Sequence, residues 1–405
     1  MHTHFRGLIG IKLLFLRFVF ISLKLLKPKK ILRKPFGINF IGYFAGSFGL
    51  GVVLRSCVSA AYSSNIPLVV RNIKPKIKNL QEDSSICDIT SNKCIYSINC
   101  ININPDLFYR LPIWLKQYEW REKYNIGYWF WELADAPISW KYAADFVDEI
   151  WVSSNFNLLA MKNFHSNVIK IPMGIDVRQS NTLFDLKKYG LNHTAFKFLT
   201  SFDFFSLMNR KNPVGTINAF LLAFPESHIN VNLIIKSTNG HQFPKELESL
   251  KTAAHGDKRI IFIDSNILTE EQTALMTLCN SYVSLHRAEG FGLGLAEAML
   301  LGKPVIATGY SGNLEFMNPQ NSFLIPYKMK RLEKHEYPDV HGQYWADPDI
   351  FEAAKIMKSI FKNEYLRTST GLVAKKYIEA HHSTKIMGNH IKSRLLDIQN
   401  RNNFK

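Results

Sequence analysis

Between residues 287 and 297 the chain reads Arg287-Ala-Glu-Gly-Phe-Gly-Leu-Gly-Leu-Ala-Glu297, a glycine-rich turn bracketed by two acids. The β-rich run Ser281-Tyr-Val-Ser-Leu-His286 precedes it, and Ala298-Met-Leu-Leu-Gly302 followed by Pro304-Val-Ile-Ala-Thr308 reads as a helix end and a further strand. The turn therefore joins a strand to a helix, and alternation of this kind builds a mostly parallel sheet whose ligands sit at the strands' carboxyl ends. Gly290, Gly292 and Gly294 allow backbone amides to approach a ligand closely, and a helix N-terminus favours negative charge, so a phosphate suits this turn. Two carboxylates are poor phosphate ligands because like charges repel. They suit hydroxyls, which a sugar and a ribose offer. A diphosphate between two hydroxyl-rich groups is a nucleotide sugar.

The spacing Glu289-x7-Glu297, the following Gly302-Lys-Pro-Val-Ile-Ala307 and the loop Gly309-Tyr-Ser-Gly-Asn-Leu-Glu315 resemble the donor site of retaining family-4 glycosyltransferases, also called group 1. The resemblance runs from about residue 37 to the C-terminal helices and is densest over 281–317. It implies a GT-B fold of class α/β, two Rossmann-like domains with parallel sheets facing across a cleft. It also implies a donor site at Gly290, Phe291, Gly292, Leu293, Ser311, Gly312 and Asn313. Glu289 would contact the donor sugar near the reacting centre, and Glu297 the ribose hydroxyls.

Strand and helix alternate twice along the chain. A first series has strands expected at 37–43, 68–71, 95–103, 126–131, 149–153 and 168–171. After a polar stretch in which periodicity fails, a second has them at 196–201, 232–236, 259–263, 282–285, 304–308 and 322–325. The 405 residues suffice for two α/β domains with their own cores. The expected divisions are a segment 1–36, an acceptor domain 37–178, a donor domain 190–375 and helices over 376–405. By resemblance, the last of these helices crosses back onto the first domain.

Arg210-Lys211-Asn-Pro213 follows the strand at 196–201 and opens a helix. Adjacent cations at a strand-to-helix turn suit a diphosphate leaving group, whose charge grows as it departs. The family places its Arg several residues before its Lys, where Ser206 stands here, so Lys211 is the firmer match. Gly46-Ser-Phe-Gly-Leu-Gly51 has the spacing Gly-x-x-Gly-x-Gly, which differs from the dinucleotide fingerprint. It resembles the first-domain loop that closes over donor phosphates, with Gly49 and Gly51 giving close approach; an ordinary tight turn is the alternative. Asn125-Ile-Gly-Tyr-Trp-Phe-Trp-Glu132 offers Trp129, Trp131 and Glu132 as an acceptor platform, unless the indoles simply fill the core. Where many group members carry a histidine in the first domain, this chain has Asn99-Cys-Ile-Asn-Ile-Asn-Pro-Asp106, leaving Asn104 or Asp106 as stand-ins.

Asp347-Pro-Asp349 matches an Asp-x-Asp metal motif formally but reads better as a helix cap with its first-turn partner. No metal and no cofactor are expected; the nucleotide sugar, UDP- or GDP-linked, is a co-substrate. The five cysteines, Cys57, Cys87, Cys94, Cys100 and Cys279, are odd in number and fit free thiols in a reducing cytosol.

A net charge of +17 invites a nucleic-acid reading, but residues 1–36 hold nine Lys or Arg and no acid, so they carry +9 of it. Lys12, Arg17 and Lys24 interrupt the apolar run at 8–26 before it reaches the roughly 20 residues a span needs. On a helical wheel Arg6, Lys12, Arg17, Lys24 and Lys27 fall within an arc of roughly 140°, opposite a broad apolar face. The segment is thus expected to bind an anionic membrane surface through residues 5–34, placing the protein peripherally on the inner face of the cytoplasmic membrane, with a tilted single span as the alternative. Expected partners are the nucleotide-sugar donor and a glycan or lipid-linked acceptor, as in lipopolysaccharide or capsule synthesis, and no nucleic acid. A nucleotide-sugar epimerase or hydrolase, or a membrane-bound scaffold without catalysis, remains open on sequence alone.

Overall fold

The computed structural model describes residues 35–74, 89–177, 182–334, 336–338 and 342–401, together with Phe18. The membrane-surface segment expected over 1–36 therefore lies outside the described residues apart from Phe18, Pro35 and Phe36, as does Cys87. Among the described residues no helix is long and apolar enough to cross a membrane. The chain divides into two units. One runs to Trp131, continues over Asp135–Gly174 and resumes at His382; the other comprises Glu132–Ala134 and Ile175–His381.

The first unit holds a six-stranded sheet, β1 (Ile38–Gly42), β2 (Leu68–Asn72), β3 (Ile98–Asn102), β4 (Tyr124–Tyr128), β5 (Glu149–Val152) and β6 (Val168–Lys170), in the order β2-β1-β3-β4-β5-β6. Every pairing is parallel. β1, β3 and β4 are buried along their whole length, because helices cover both faces of a parallel sheet and the strands must be apolar on both. One polar device crosses this core. Asn39, Asn99 and Asn125 are register partners on β1, β3 and β4, and their amides bond in series, Asn39 Nδ2 to Asn99 Oδ1 at 2.8 Å and Asn99 Nδ2 to Asn125 Oδ1 at 2.9 Å. A slip by one residue would leave these buried amides unsatisfied, so the ladder fixes register.

β4 ends at Tyr128, three residues before the expected limit. Gly127 explains this: a Cβ there would lie 2.4 Å from the Trp129 indole. The ring folds back over the vacant side of the glycine and takes the chain out of the sheet. The helix Thr384–Arg401 packs on the helix Gly49–Ser63, and Gly388 permits the approach, since a Cβ there would meet the Ala60 carbonyl at 2.1 Å.

The second unit repeats the plan with β7 (Phe196–Asp203), β8 (Val231–Thr238), β9 (Ile260–Asp264), β10 (Ser281–Ser284), β11 (Val305–Thr308) and β12 (Phe323–Ile325), ordered β12-β11-β10-β7-β8-β9 and again parallel. Counted from β7, this is the doubly wound order 3-2-1-4-5-6. Its direction reverses between β7 and β10, and ligands of such sheets bind at the carboxyl ends of those two strands. An antiparallel ribbon not expected from the sequence follows, β13 (Tyr327–Arg331) with β14 (Tyr344–Pro348). Helices Ile350–Lys362 and Glu364–His381 close the unit.

Candidate active site

The loop leaving β7 begins with an Asp203 cap, whose carboxylate accepts from Phe205 N at 3.0 Å, and passes through Leu207 at φ 64° into a single turn, Met208–Lys211. Asn212, left-handed at φ 52°, then caps the helix Pro213–Ala223 by accepting from Gly215 N at 3.1 Å. Asparagine tolerates this conformation, and proline at the first helical position needs no N–H partner. The same Asn212 amide donates to Leu285 O at 2.8 Å. It ties the β7 loop to the β10 loop at the point where the strand order reverses.

That tie brings the two cations to Glu289. Lys211 Nζ donates to one carboxylate oxygen, and Arg210 Nη1 lies 3.2 Å from the other. Arg210 also donates from Nε to Ser206 O at 3.1 Å and from Nη1 to Ala288 O at 2.8 Å. Burial by itself would push the Glu289 carboxyl up, but Lys211 and then Arg210 overcome it and hold the acid at about 2. Burial lowers the Lys211 ammonium, with Glu289 opposing. For Arg210, burial is outweighed by Glu289 and Glu132, and its charge is reinforced. The result is a buried, ionised acid gripped by the buried Arg210 and the half-buried Lys211, at a depth where unpaired charges would be costly.

Glu289 N donates to Ser311 Oγ at 2.8 Å, and Gly312 N donates to Glu289 O at 2.9 Å. Ser311 sits at φ 78°, and its strained backbone belongs to this pairing of loops. His286, fully buried, has Nδ1 3.1 Å from Ser284 Oγ and Nε2 3.1 Å from Asn313 Oδ1 and 3.4 Å from Tyr310 O. Because Asn313 Nδ2 donates to Thr308 O at 3.0 Å, its oxygen faces the histidine. Both neighbours of Nε2 are then acceptors, which assigns the proton to Nε2 and makes Nδ1 accept from Ser284. Burial keeps this ring neutral. His286 and Asn212 were not singled out from sequence; a polar residue just past the end of a β-rich run was the one signal available for His286.

Gly292, at φ 95°, precedes the helix Leu293–Leu300. Phe291 packs its ring on Phe316, with centroids 5.0 Å apart, so the side chain anchors the turn and Gly290 and Gly292 flank it. Glu297 is half-buried on that helix and makes no hydrogen bond or ion pair among the described residues; burial alone pushes its carboxyl up to about 7. The structure thus gathers Arg210, Lys211, Glu289, Ser311, Gly312 and Asn313 into one constellation, with Glu297 on the helix that leaves it.

Arg287 braces the constellation. Its N donates to Arg210 O at 2.7 Å, its guanidinium to Asn209 O at 2.6 Å and Asp347 at 3.1 Å, and its carbonyl accepts from Ala346 N at 3.0 Å. Asp347 is thereby occupied by Arg287. Asp349 caps the helix Ile350–Lys362, accepting from Phe351 N at 3.0 Å and Glu352 N at 3.1 Å. Among the described residues no three His, Cys, Asp or Glu side chains gather as a metal site requires.

The first unit corrects part of the expectation. Trp129 is 1% exposed, with Phe108 and Trp140 packed against it at 5.3 and 6.4 Å between centroids, and Trp131 packs on Trp140 at 5.0 Å. These indoles fill the core and offer no stacking platform. Glu132, which belongs to the second unit, is instead held there by Tyr337, whose hydroxyl donates to it at 2.7 Å. Asn104 is likewise occupied, exchanging two 3.1 Å bonds with the Phe130 backbone, whereas Asp106 is exposed. Gly51 makes the close approach expected of it, but to its own loop: a Cβ there would lie 2.0 Å from Gly46 O, while Gly49 faces open space.

Residues 197–335 match the family described as Glycosyl transferases group 1. ORF378 of Acidianus filamentous virus 2, named there as a candidate glycosyltransferase, is 27% identical over 161 residues; the match spans 37% of this chain and 41% of that protein. Sucrose-phosphate synthase of Thermosynechococcus elongatus superposes over 90% of this chain and 99% of its own, with a TM-score of 0.63 at 14% identity. HepE of Anabaena, solved with UDP and glucose, covers 90% of this chain and 100% of its own, with a TM-score of 0.63 at 16% identity. The fold is GT-B, and the matched segment together with that fold supports a group 1 glycosyltransferase.

Proposed function

We propose that the chain moves a sugar from a UDP- or GDP-linked donor to a glycan or lipid-linked acceptor with retention of anomeric configuration, at the inner face of the cytoplasmic membrane and in cell-surface polysaccharide or lipopolysaccharide synthesis. The observation that carries this reading is the placement of Lys211, Arg210 and Glu289 together where the strand order reverses. A donor diphosphate carries its negative charge to Lys211, to Arg210 and to the amides around Gly292 and Gly312, which stabilise it as the glycosidic bond breaks. Glu289 turns toward the sugar hydroxyls and orients the ring. In this reading the acceptor attacks from the leaving group's own face and its proton goes to an oxygen of the departing phosphate, so that no protein base is required. That geometry preserves configuration.

The neighbour HepE was solved with UDP and glucose, and TarM of Staphylococcus aureus, with a TM-score of 0.52 at 15% identity over 74% of this chain and 55% of its own, was solved with UDP; both support the choice of donor. The test is a panel of UDP-, GDP- and ADP-sugars with and without acceptor, the product's anomeric configuration being read by NMR. Transfer with retention is expected, unchanged in EDTA. Donor conversion without acceptor would replace the reading with an epimerase or hydrolase, and an inverted product or loss of activity in EDTA restored by magnesium would overturn its mechanism.

A further inference from the structure

The Arg210 guanidinium spends Nε and Nη1 on Ser206 O, Ala288 O and Glu289, whereas Nη2 makes no hydrogen bond among the described residues. The nearest acceptor to Nη2 in an ion pair is Glu132 Oε1, at 3.7 Å, too far for a hydrogen bond. The other oxygen, Oε2, accepts from the Tyr337 hydroxyl at 2.7 Å. Tyr337 lies in the connection between β13 and β14 and is 9% exposed. Burial, then the charge of Glu132, hold its phenol far above the usual range, so it stays a donor at every working pH.

We propose that Tyr337 is a positioning residue for the donor diphosphate: by anchoring Glu132, it keeps that carboxylate from closing on Arg210 and leaves Nη2 for a phosphate oxygen. This deepens the donor reading above and rests on it. Glu132 and a phosphate are rival anions for one N–H. A carboxylate oxygen stripped of its phenol partner turns to the nearest cation, since charge-assisted bonds are the strong ones. The ribbon, which already braces the site through Ala346 N and Asp347 on Arg287, thus also bears on Arg210 through the Tyr337 hydroxyl, which acts by way of Glu132.

The experiment titrates UDP and GDP into the full chain and measures transfer, with wild type, Tyr337→Phe, Glu132→Gln and the double variant. Tyr337→Phe keeps the ring and removes only the donor. It is expected to weaken nucleotide binding and raise the donor KM about three- to tenfold, with kcat changed less than twofold, since each tenfold corresponds to 1.4 kcal/mol. Glu132→Gln removes the rival charge and tightens binding or leaves it at the wild-type level; in that background Tyr337→Phe has no further effect. Equal binding by Tyr337→Phe and wild type, or the same weakening in the Glu132→Gln background as in the wild-type one, overturns the proposal. If Tyr337→Phe does not fold, weaker binding by Glu132→Gln overturns it instead. Wild-type protein that binds neither nucleotide and transfers no sugar removes the donor reading, a failure visible before any variant is compared.

Discussion

Gly312 lies with its Cα against the carbonyl of Gly290: a Cβ at 312 would stand 2.1 Å from that oxygen and 2.7 Å from Glu289 O. Backbone cannot yield as a flexible side chain can. Gly312→Ala therefore pushes the 311–313 loop from the acid loop and breaks the bonds Glu289 N makes to Ser311 and Gly312 N makes to Glu289 O. Overpacking of this kind costs about 1–3 kcal/mol, and the expected reading is nucleotide binding weakened roughly ten- to hundredfold with far-ultraviolet circular dichroism unchanged. Wild-type affinity in the alanine variant would show that the two loops are not held by this contact.

Lys211 and Glu289 share a partly buried ion pair, but their removal has different signatures. Lys211→Ala takes away a cation from the leaving group, and a loss of about 10²–10³ in kcat is expected. Glu289→Gln leaves both cations with a neutral partner and lowers kcat while nucleotide binding persists. Because Lys211 and Arg210 hold the carboxyl of ligand-free Glu289 at about 2, it should give no limb between pH 5 and 9 in the profile of kcat/KM, which reports the free enzyme. The linkage follows from a depressed acid: its stabilising effect is present above the ordinary value of 4.5 and is lost as pH falls toward 2. Acid unfolding of wild type should thus be steeper than that of Glu289→Gln across this window.

All twelve strands of the two sheets were legible, because short β-rich runs bounded by turn residues alternate with helical stretches in both series. The ribbon was not: Tyr327-Lys-Met-Lys-Arg331 is exposed along its length and carries no burial signal. Lys211, Glu289 and the glycine turn were legible because their chemistry is local in sequence. Tyr337 and Glu132 are 205 residues apart, and no local pattern announces that one phenol finds one carboxylate. The misplaced Trp129 and Trp131 show a further limit. Composition says that indoles are present, whereas their burial depended on Gly127 and on Trp140, which periodicity does not connect.

Glu297 makes a prediction in the opposite direction to Glu289. Burial raises it to about 7. For an acid raised above its ordinary 4.5, the folded state binds the proton more tightly, so stability falls as pH rises from 4.5 to 7 and levels off above. Glu297→Gln, which cannot ionise, should match wild type near pH 4.5 and exceed it in melting temperature at pH 8. If ribose hydroxyls donate to this carboxyl, they favour its ionised form. UDP or GDP binding then releases a proton near neutrality, which calorimetry in buffers of different ionisation enthalpy detects. No proton release, or release that survives Glu297→Gln, would separate Glu297 from the nucleotide.

The last prediction concerns the first unit. Glu149, fully buried on β5, accepts from Arg394 Nη2 at 2.5 Å and Nε at 2.9 Å, from Tyr124 OH at 3.0 Å, from Trp151 Nε1 at 2.5 Å and from Asn167 Nδ2 at 3.0 Å. Arg394 belongs to the helix Thr384–Arg401, which also packs on Gly49–Ser63, so this pair pins the C-terminal helix to the sheet. Arg394→Ala leaves a carboxylate buried without its cation, which costs about 3–5 kcal/mol. Glu149→Gln in the same chain removes the uncompensated charge and should recover a large part of that loss, because the amide oxygen still accepts from Trp151 Nε1 while its NH2 can donate to the Tyr124 hydroxyl oxygen. Urea unfolding of the two variants measures the difference, and hydrogen exchange along residues 384–401 should quicken in Arg394→Ala before it quickens in β7 to β12. A loss equal in both variants would mean that the guanidinium acts by packing alone and that its charge contributes nothing.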